Sequence, residues 1–256
     1  MFKRAIVRAP SANFADGLTT VDLGRPNYER ALEQHEAYCA ALEQRGLSLL
    51  RLDADERHPD ATFVEDTAVL TKRCAVLTRP GAPSRAGEVA SIRKALADFY
   101  TELHTLATPG TVDGGDVCEA GNHFFIGISA RTNEAGAKQL ARLFAKFDYT
   151  SSLVDIRNVR EILHLKSGLA YLGDGRLVII EALRTRAEFQ SFDLICAPVG
   201  EEYAANCLRV NDDVLIAAGH SKFQGVLEAR SYQTIALEMS EFQKMDGGLS
   251  CLSLRF

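Results

Sequence analysis

The sequence has no excess of basic charge, with 29 Lys and Arg against 34 Asp and Glu and a net charge of −5. Phosphate binding needs a basic surface, so a general nucleic-acid binder is excluded. No Cys-x-x-Cys pair occurs among the six cysteines, at 39, 74, 118, 196, 207 and 251. Their scatter argues against a metal site and against a dense disulfide scaffold. Residues 1–10 carry charge but no continuous apolar region, unlike a signal peptide. Runs such as Leu177-Val178-Ile179-Ile180 are far too short to span a bilayer. Free thiols without an export signal point to the cytoplasm, and no membrane partner is expected. No Ser- or Pro-rich linker interrupts the chain, and 46% hydrophobic residues suffice for a substantial core, which excludes disorder.

What is present is an alternation of short apolar strands and amphipathic helices. Residues 4–9 read as a strand, and 26–45 as a helix with Tyr28, Leu32, Cys39 and Leu42 on one face and Gly46 as its stop. A strand pair over 68–78 turns near Lys72-Arg73, followed by a helix over 84–100 striped by Val89, Ile92, Leu96 and Phe99. A hairpin over 117–128 turns at Gly121-Asn122, and a helix over 132–147 is built on Leu140, Leu143, Phe144 and Phe147. Further hairpins turn at Asp174-Gly175, a strong hairpin dipeptide, and at Asn211-Asp212, with a weaker helix over 222–230 behind the second. The turns recur with an irregular period of roughly fifty residues, so about five units fill the chain. A closed α/β ring over residues 1–256, a single domain with a central channel, explains this better than two domains.

Candidate chemistry lies in the polar segments between these elements. Cys251 follows Asp246-Gly247-Gly248-Leu249-Ser250, and a glycine-rich turn lets backbone approach a substrate closely. Buried cysteines usually just pack, but His164 and Asp113 supply the other parts of an activated thiol. His164 also reads as a core histidine satisfied by backbone, and Asp113 and Asp116 as Asx turns around Gly114-Gly115. Glu65 and Asp66 are adjacent carboxylates that repel unless solvated or neutralised by a cation, such as a guanidinium. Arg85 and Arg131 each stand at or just before a predicted helix N-terminus, where the macrodipole disfavours a cation unless an anion is bound. Acids at one end of a channel and arginines at the other suit an amino acid with a cationic side chain. Gly17 in Asp16-Gly17-Leu18 reads as a loop glycine permitting movement.

These segments together resemble the dimethylarginine dimethylaminohydrolases, of the guanidino-group-modifying superfamily with a five-unit α/β propeller, the pentein fold. The matching stretches are Asp16-Gly17-Leu18-Thr19, Phe63-Val64-Glu65-Asp66, residues 78–85, Asp113-Gly114-Gly115-Asp116-Val117, Arg131-Thr132-Asn133, His164-Leu165-Lys166, Ala204-Ala205-Asn206-Cys207 and residues 246–251. They run in order over nearly the whole chain. The resemblance implies Cys251 as nucleophile, His164 as general acid and base, and Asp113 as its orienter, although some members have Glu there. It implies Asp66, with Glu65 close by, on the guanidinium, Arg85 and Arg131 on the α-carboxylate, and Asp60 and the Leu18 backbone on the α-amine. Asp246 is implied as a further contact near the reacting carbon. Leu252 departs from members with a second Cys at that position.

The implied reaction is hydrolysis of asymmetric dimethylarginine or monomethylarginine to citrulline and dimethylamine or methylamine, through a covalent thiouronium. The expected partner is this small molecule; no metal or organic cofactor is expected, and a homodimer is left open. Arginine deiminases share the fold and nucleophile but usually carry an Asp two positions after the histidine, where this chain has Lys166. Amidinotransferases and deiminases are usually longer. A non-catalytic ring, such as the ribosome anti-association factor of the same architecture, implies loss of a cysteine and histidine that are present here.

Overall fold

The computed structural model describes residues 1–256. β1 (Arg4–Arg8) leads through α1 (Tyr28–Gln44) to β2 (Ser48–Leu52), which pairs with β1 in parallel. Parallel neighbours need such a crossover. The same plan then repeats. β3 (Ala68–Leu70) and β4 (Ala75–Leu77) form an antiparallel hairpin, and α2 (Val89–Leu96) returns the chain to β5 (Leu103–Thr105), parallel to β4. β6 (Val117–Ala120), β7 (His123–Ile128), α3 (Glu134–Ala145) and β8 (Thr150–Asp155) form the third unit. β9 (Leu169–Gly173), β10 (Arg176–Ile179) and β11 (Asp193–Cys196) form the fourth. β12 (Leu208–Val210), β13 (Asp213–Ala217), α4 (Ser221–Glu228) and β14 (Gln233–Leu237) form the fifth. After α5 (Ser240–Gln243), β15 (Leu254–Arg255) pairs antiparallel with β1 and completes the first sheet. The result is five three-stranded sheets.

Middle strands are buried on both faces and therefore read as continuous apolar runs. Ala5, Ile6 and Val7 of β1, Phe124, Phe125 and Ile126 of β7, and Leu177, Val178 and Ile179 of β10 have no exposed surface. The apolar core is itself a ring, divided into clusters between neighbouring units, such as the one joining Val76 of β4 to Phe124 of β7. Polar segments are left at the centre.

Several sequence-based boundaries shift, each for a tertiary reason. The buried face of α1 holds Ala31, Gln34, His35, Tyr38, Cys39, Ala41 and Leu42, while Tyr28 and Leu32 are only half-buried. Gln34 is inside because α5 bonds it: its amide donates to Ser240 Oγ at 2.8 Å and accepts from Glu241 N at 3.0 Å. Residues 83–88 wind as a 3-10 helix and α2 proper begins at Val89. In that tighter winding i and i+3 side chains eclipse, which sets Arg85 over Glu88. Phe99 lies beyond the end of α2 and packs edge-on against Phe256, with ring centroids 5.1 Å apart. The fourth unit crosses over through short 3-10 turns at Glu181–Leu183 and Ala187–Phe189. The third strand of each unit went unread in the sequence; β2 and β14 are half-exposed along their length, so the burial pattern there is weak.

Candidate active site

Each unit precedes its inner strand with a 3-10 turn. Val64–Thr67 precedes β3, Gly114–Asp116 precedes β6, Leu165–Ser167 precedes β9, Glu202–Ala205 precedes β12, and Ser250–Leu252 precedes β15. These turns pack against one another at the centre of the ring. Glu65, Asp66, Asp113, His164 and Cys251 lie in or beside four of them, which is why residues remote in sequence meet.

The Asp113-Gly114-Gly115-Asp116 turn organises the centre. Asp113 Oδ2 lies 3.1 Å from His164 Nε2, and its Oδ1 accepts from Gly81 N at 2.8 Å. Asp116 Oδ1 accepts from Leu165 N at 2.9 Å, so it holds the backbone next to His164. Asp66 Oδ1 accepts from Gly115 N at 2.9 Å. Glycine is required here by proximity: a Cβ on Gly114 would lie 2.1 Å from Glu65 O. Gly17 has the same origin, since a Cβ there would lie 2.4 Å from Asp60 Oδ1. Its place is explained by close approach of the loop to Asp60, whereas the sequence suggested freedom of movement.

The two acids of Glu65-Asp66 diverge. Asp66 turns to Arg85, with Nη1 donating to Oδ2 at 2.6 Å. Glu65 accepts from Ser250 Oγ at 2.7 Å and pairs with Lys166 Nζ at 2.7 Å and with Arg255 at 3.5 Å. Arg85 is buried, and its Nε and Nη2 are taken by Glu88, Phe63 O and Asp60 O. Its counter-anions are therefore Asp66 and Glu88, a correction to the helix-terminus argument. One Nη1 hydrogen remains of its five donors. Arg131 is held only through its backbone N–H, which donates to Ser129 Oγ at 3.0 Å.

A cavity opens among these groups. Leu18, Asp60, Phe63, Asp66, Arg85, Arg131, Leu163, His164, Met245, Asp246, Gly247 and Cys251 line it. Eight of the ten residues selected from the sequence are thus together on one wall or another. Asp113 stands behind His164, and Glu65 points away from the cavity, toward Lys166. Leu18 donates its N–H to Asp60 Oδ1 at 3.0 Å, and Asp246 accepts from the backbone N–H and hydroxyl of Thr20. Asp66, Asp113 and His164 also hold donor atoms within 4.8 Å of one another. Their oxygens already face Arg85, Gly115, Gly81 and the imidazole, which suits an acid–base pair better than a metal shell.

Electrostatics follow from this crowding of acids. Burial alone would lower the His164 pKa, but Asp66, Asp116 and Asp113 outweigh it and raise it to about 9. Burial would raise the Asp66 carboxyl, yet His164 and Arg85 hold it below its usual range. The Cys251 thiol is pushed up to about 12, first by burial and then by Glu65 and Asp66. At neutral pH the pair therefore stands as thiol and imidazolium. A cation arriving beside Asp66 would reverse the penalty on a thiolate.

Over 257 residues, the whole of both chains, the sequence is 44% identical to the N(G),N(G)-dimethylarginine dimethylaminohydrolase of Pseudomonas aeruginosa. The chain belongs to the dimethylarginine dimethylaminohydrolase family. A relative of the same name from Streptomyces coelicolor is 36% identical over 256 residues, covering 99% of this chain and 96% of the relative. The solved structure of the Pseudomonas aeruginosa enzyme, a Cys-to-Ser variant complexed with citrulline, superposes with a TM-score of 0.97 at 43% identity and covers all of both chains. No protein-family model matches the chain. The mixed α/β fold of five pseudo-symmetric units is that of this dimethylarginine dimethylaminohydrolase. No helix is long and apolar enough to cross a membrane.

Sequence reasoning passed over several residues around the family's site. Asp116 was legible only as a turn residue, although its position two glycines from Asp113 ties it to the same turn. Leu163, Met245 and Gly247 directly adjoin selected residues in the chain, and Phe63 stands two positions before Glu65; that proximity was the available signal. The pairing of Lys166 with Glu65 had none.

Proposed function

We propose that this protein hydrolyses Nω-methylated arginines to citrulline and methylamine or dimethylamine, with residues 1–256 acting as one catalytic domain. The observation that carries this reading is the single cavity that combines Cys251, the His164–Asp113 pair, Asp66 and two arginines in a member of this family. The methylated guanidinium enters beside Asp66 and Cys251. Its positive charge offsets the carboxylates that hold the thiol protonated. Because His164 already carries a proton, the thiol releases its own to solvent as the substrate binds, and the thiolate forms beside the guanidinium carbon. The thiolate attacks that carbon, and the His164 imidazolium gives its proton to the departing amine. A covalent thiouronium remains. Neutral His164 then takes one proton from water, whose oxygen attacks the same carbon. The C–S bond breaks with its electron pair going to sulfur, the remaining hydroxyl proton passes to the sulfur through solvent, and neutral citrulline and the thiol result. Asp113 keeps the imidazole turned toward the carbon and stabilises its charged form.

At the far end of the substrate, Arg131 and the free Nη1 hydrogen of Arg85 take the α-carboxylate. Asp60 and the Leu18 carbonyl take the α-ammonium; the Leu18 N–H, already donated to Asp60, has the wrong polarity. Asp246 contributes near the reacting carbon. Glu65 supports this site indirectly, through Ser250 and Lys166. Discrimination against arginine rests on Phe63 and Leu163 packing the methyl groups and on Lys166, whose ammonium is a donor with no acceptor and is itself paired with Glu65. A missing methyl costs about 1–3 kcal/mol and an unpaired buried N–H about 1–3 kcal/mol.

The test is to incubate purified protein separately with arginine, monomethylarginine and asymmetric dimethylarginine and to measure citrulline. Both methylated substrates should turn over, with kcat/KM for arginine lower by at least ~100-fold. Acid-quenched samples should carry a covalent adduct on the Cys251 peptide, absent in Cys251→Ser. Arginine matching dimethylarginine would overturn the assignment.

A further inference from the structure

Four of the five central 3-10 turns carry the residues of the proposed mechanism; the remaining one, Glu202–Ala205, ends in Asn206. Asn206 is buried and lines no part of the cavity. Its side chain nevertheless makes three hydrogen bonds to the two segments that carry the reacting groups. Nδ2 donates to Lys166 O at 2.8 Å, two residues after His164, and to Ser250 Oγ at 3.1 Å, one residue before Cys251. Oδ1 accepts from Ser250 N at 3.0 Å. Only an amide combines a donor and an acceptor in this planar arrangement.

The glycine turn is seated directly on this amide. A Cβ on Gly248 would lie 2.5 Å from Asn206 Oδ1, and Gly248 N donates to Cys251 Sγ at 3.4 Å. Tyr203 of the same 3-10 turn adds a second hold, donating its hydroxyl to Gly247 O at 2.8 Å. The fifth unit thus grips the backbone at two points leading into Cys251, Gly247 and Ser250, and Asn206 also reaches the histidine segment.

We propose that Asn206 is a positioning residue that sets the distance between the Cys251 turn and the His164 segment. This inference rests on the proposed function, in which the same imidazole must serve a leaving amine and an attacking water at one carbon. Misplacement by about 1 Å can cost on the order of 100-fold in rate. Recognition of the substrate's α-carboxylate and α-ammonium, through Arg131, Arg85 and Asp60, is built on other units and should survive.

The test compares wild type, Asn206→Ala, Asn206→Asp and Tyr203→Phe with asymmetric dimethylarginine, using protein shown to be folded by circular dichroism. Asn206→Asp keeps the acceptor for Ser250 N and turns the second position into an oxygen facing Lys166 O, so it carries the test even if the alanine variant fails to fold. Both Asn206 variants should lower kcat at least 30-fold with KM within threefold of wild type, a split that a general loss of structure does not produce. Tyr203→Phe, which leaves the histidine segment untouched, should lower kcat less than either. Unchanged kcat in folded Asn206→Asp, or a loss expressed mainly in KM, would overturn the positioning role. Wild type in the same assay separates the two levels, since an inactive wild type means the proposed function itself fails.

Discussion

At the scale of single residues, the two arginines of the cavity have the same charge and different dependencies. Arg131 has no carboxylate partner within the chain, whereas Arg85 is the counter-ion of buried Asp66 and Glu88. Arg131→Ala should therefore raise KM for dimethylarginine by about 1.5–3 kcal/mol equivalent, the range for a hydrogen bond to a charged group, with little change in Tm. Arg85→Ala should lose about 3–5 kcal/mol of stability, since it leaves buried carboxylates uncompensated. Equal thermal shifts in the two variants, read by differential scanning fluorimetry, would contradict this division. His164 makes a second statement at this scale. Its folded pKa, about 9, lies above the ordinary value of 6.5. The imidazolium therefore contributes stability that is fully present below pH 6.5 and is lost as pH rises through about 9. Urea midpoints measured at pH 6 and pH 9.5 should fall for wild type over that interval and fall less for His164→Asn.

At the scale of elements, the decisive pieces are the 3-10 turns, which the sequence disguises as ordinary loops. Gly114→Ala should damage stability and turnover together, because the added carbon would meet Glu65 O at 2.1 Å and displace the neighbouring turn of the second unit. Asn27→Ala is the contrasting case. Asn27 caps α1 by accepting from Arg30 N at 2.9 Å on the outside of the ring, so its loss should cost about 1 kcal/mol and leave kcat unchanged. Chemical denaturation beside steady-state kinetics on the two variants checks both halves. The hairpins were the most legible elements, since Asp174-Gly175 and Asn211 adopt the positive φ their turns require. The helix over 84–100 was the least faithful reading, because the pull of Asp66 and Glu88 on Arg85 is invisible to hydrophobic periodicity.

At the scale of the whole molecule, the ring is closed by a two-residue strand. β15 pairs with β1, Phe256 O accepts from Lys3 N and Arg4 N at 3.0 and 2.8 Å, and the Phe256 ring meets Phe99 and Tyr100. The Cys251 turn leads directly into this strand. Deleting residues 254–256 should therefore lower Tm and abolish citrulline formation together, although no deleted residue touches the cavity. A truncated protein that kept wild-type kcat would show that the nucleophile turn holds its place without ring closure.

The sequence by itself determined the number of units, the positions of the hairpin turns and the identity of most cavity-lining groups. Those depend on local turn chemistry, on apolar runs of fixed length and on motifs in one order along the chain. Tertiary structure alone decided how each polar side chain is spent. Glu65 and Asp66 are adjacent in sequence, yet one is claimed by Ser250, 185 residues away, and the other by Arg85. Arg85 is a structural counter-ion before it is a ligand for substrate, and Lys166 answers Glu65 and does not face the channel. Such assignments arise where buried charges from different units must neutralise one another in a medium that gives them no water. That balance is a property of the assembled ring and is written in no single segment.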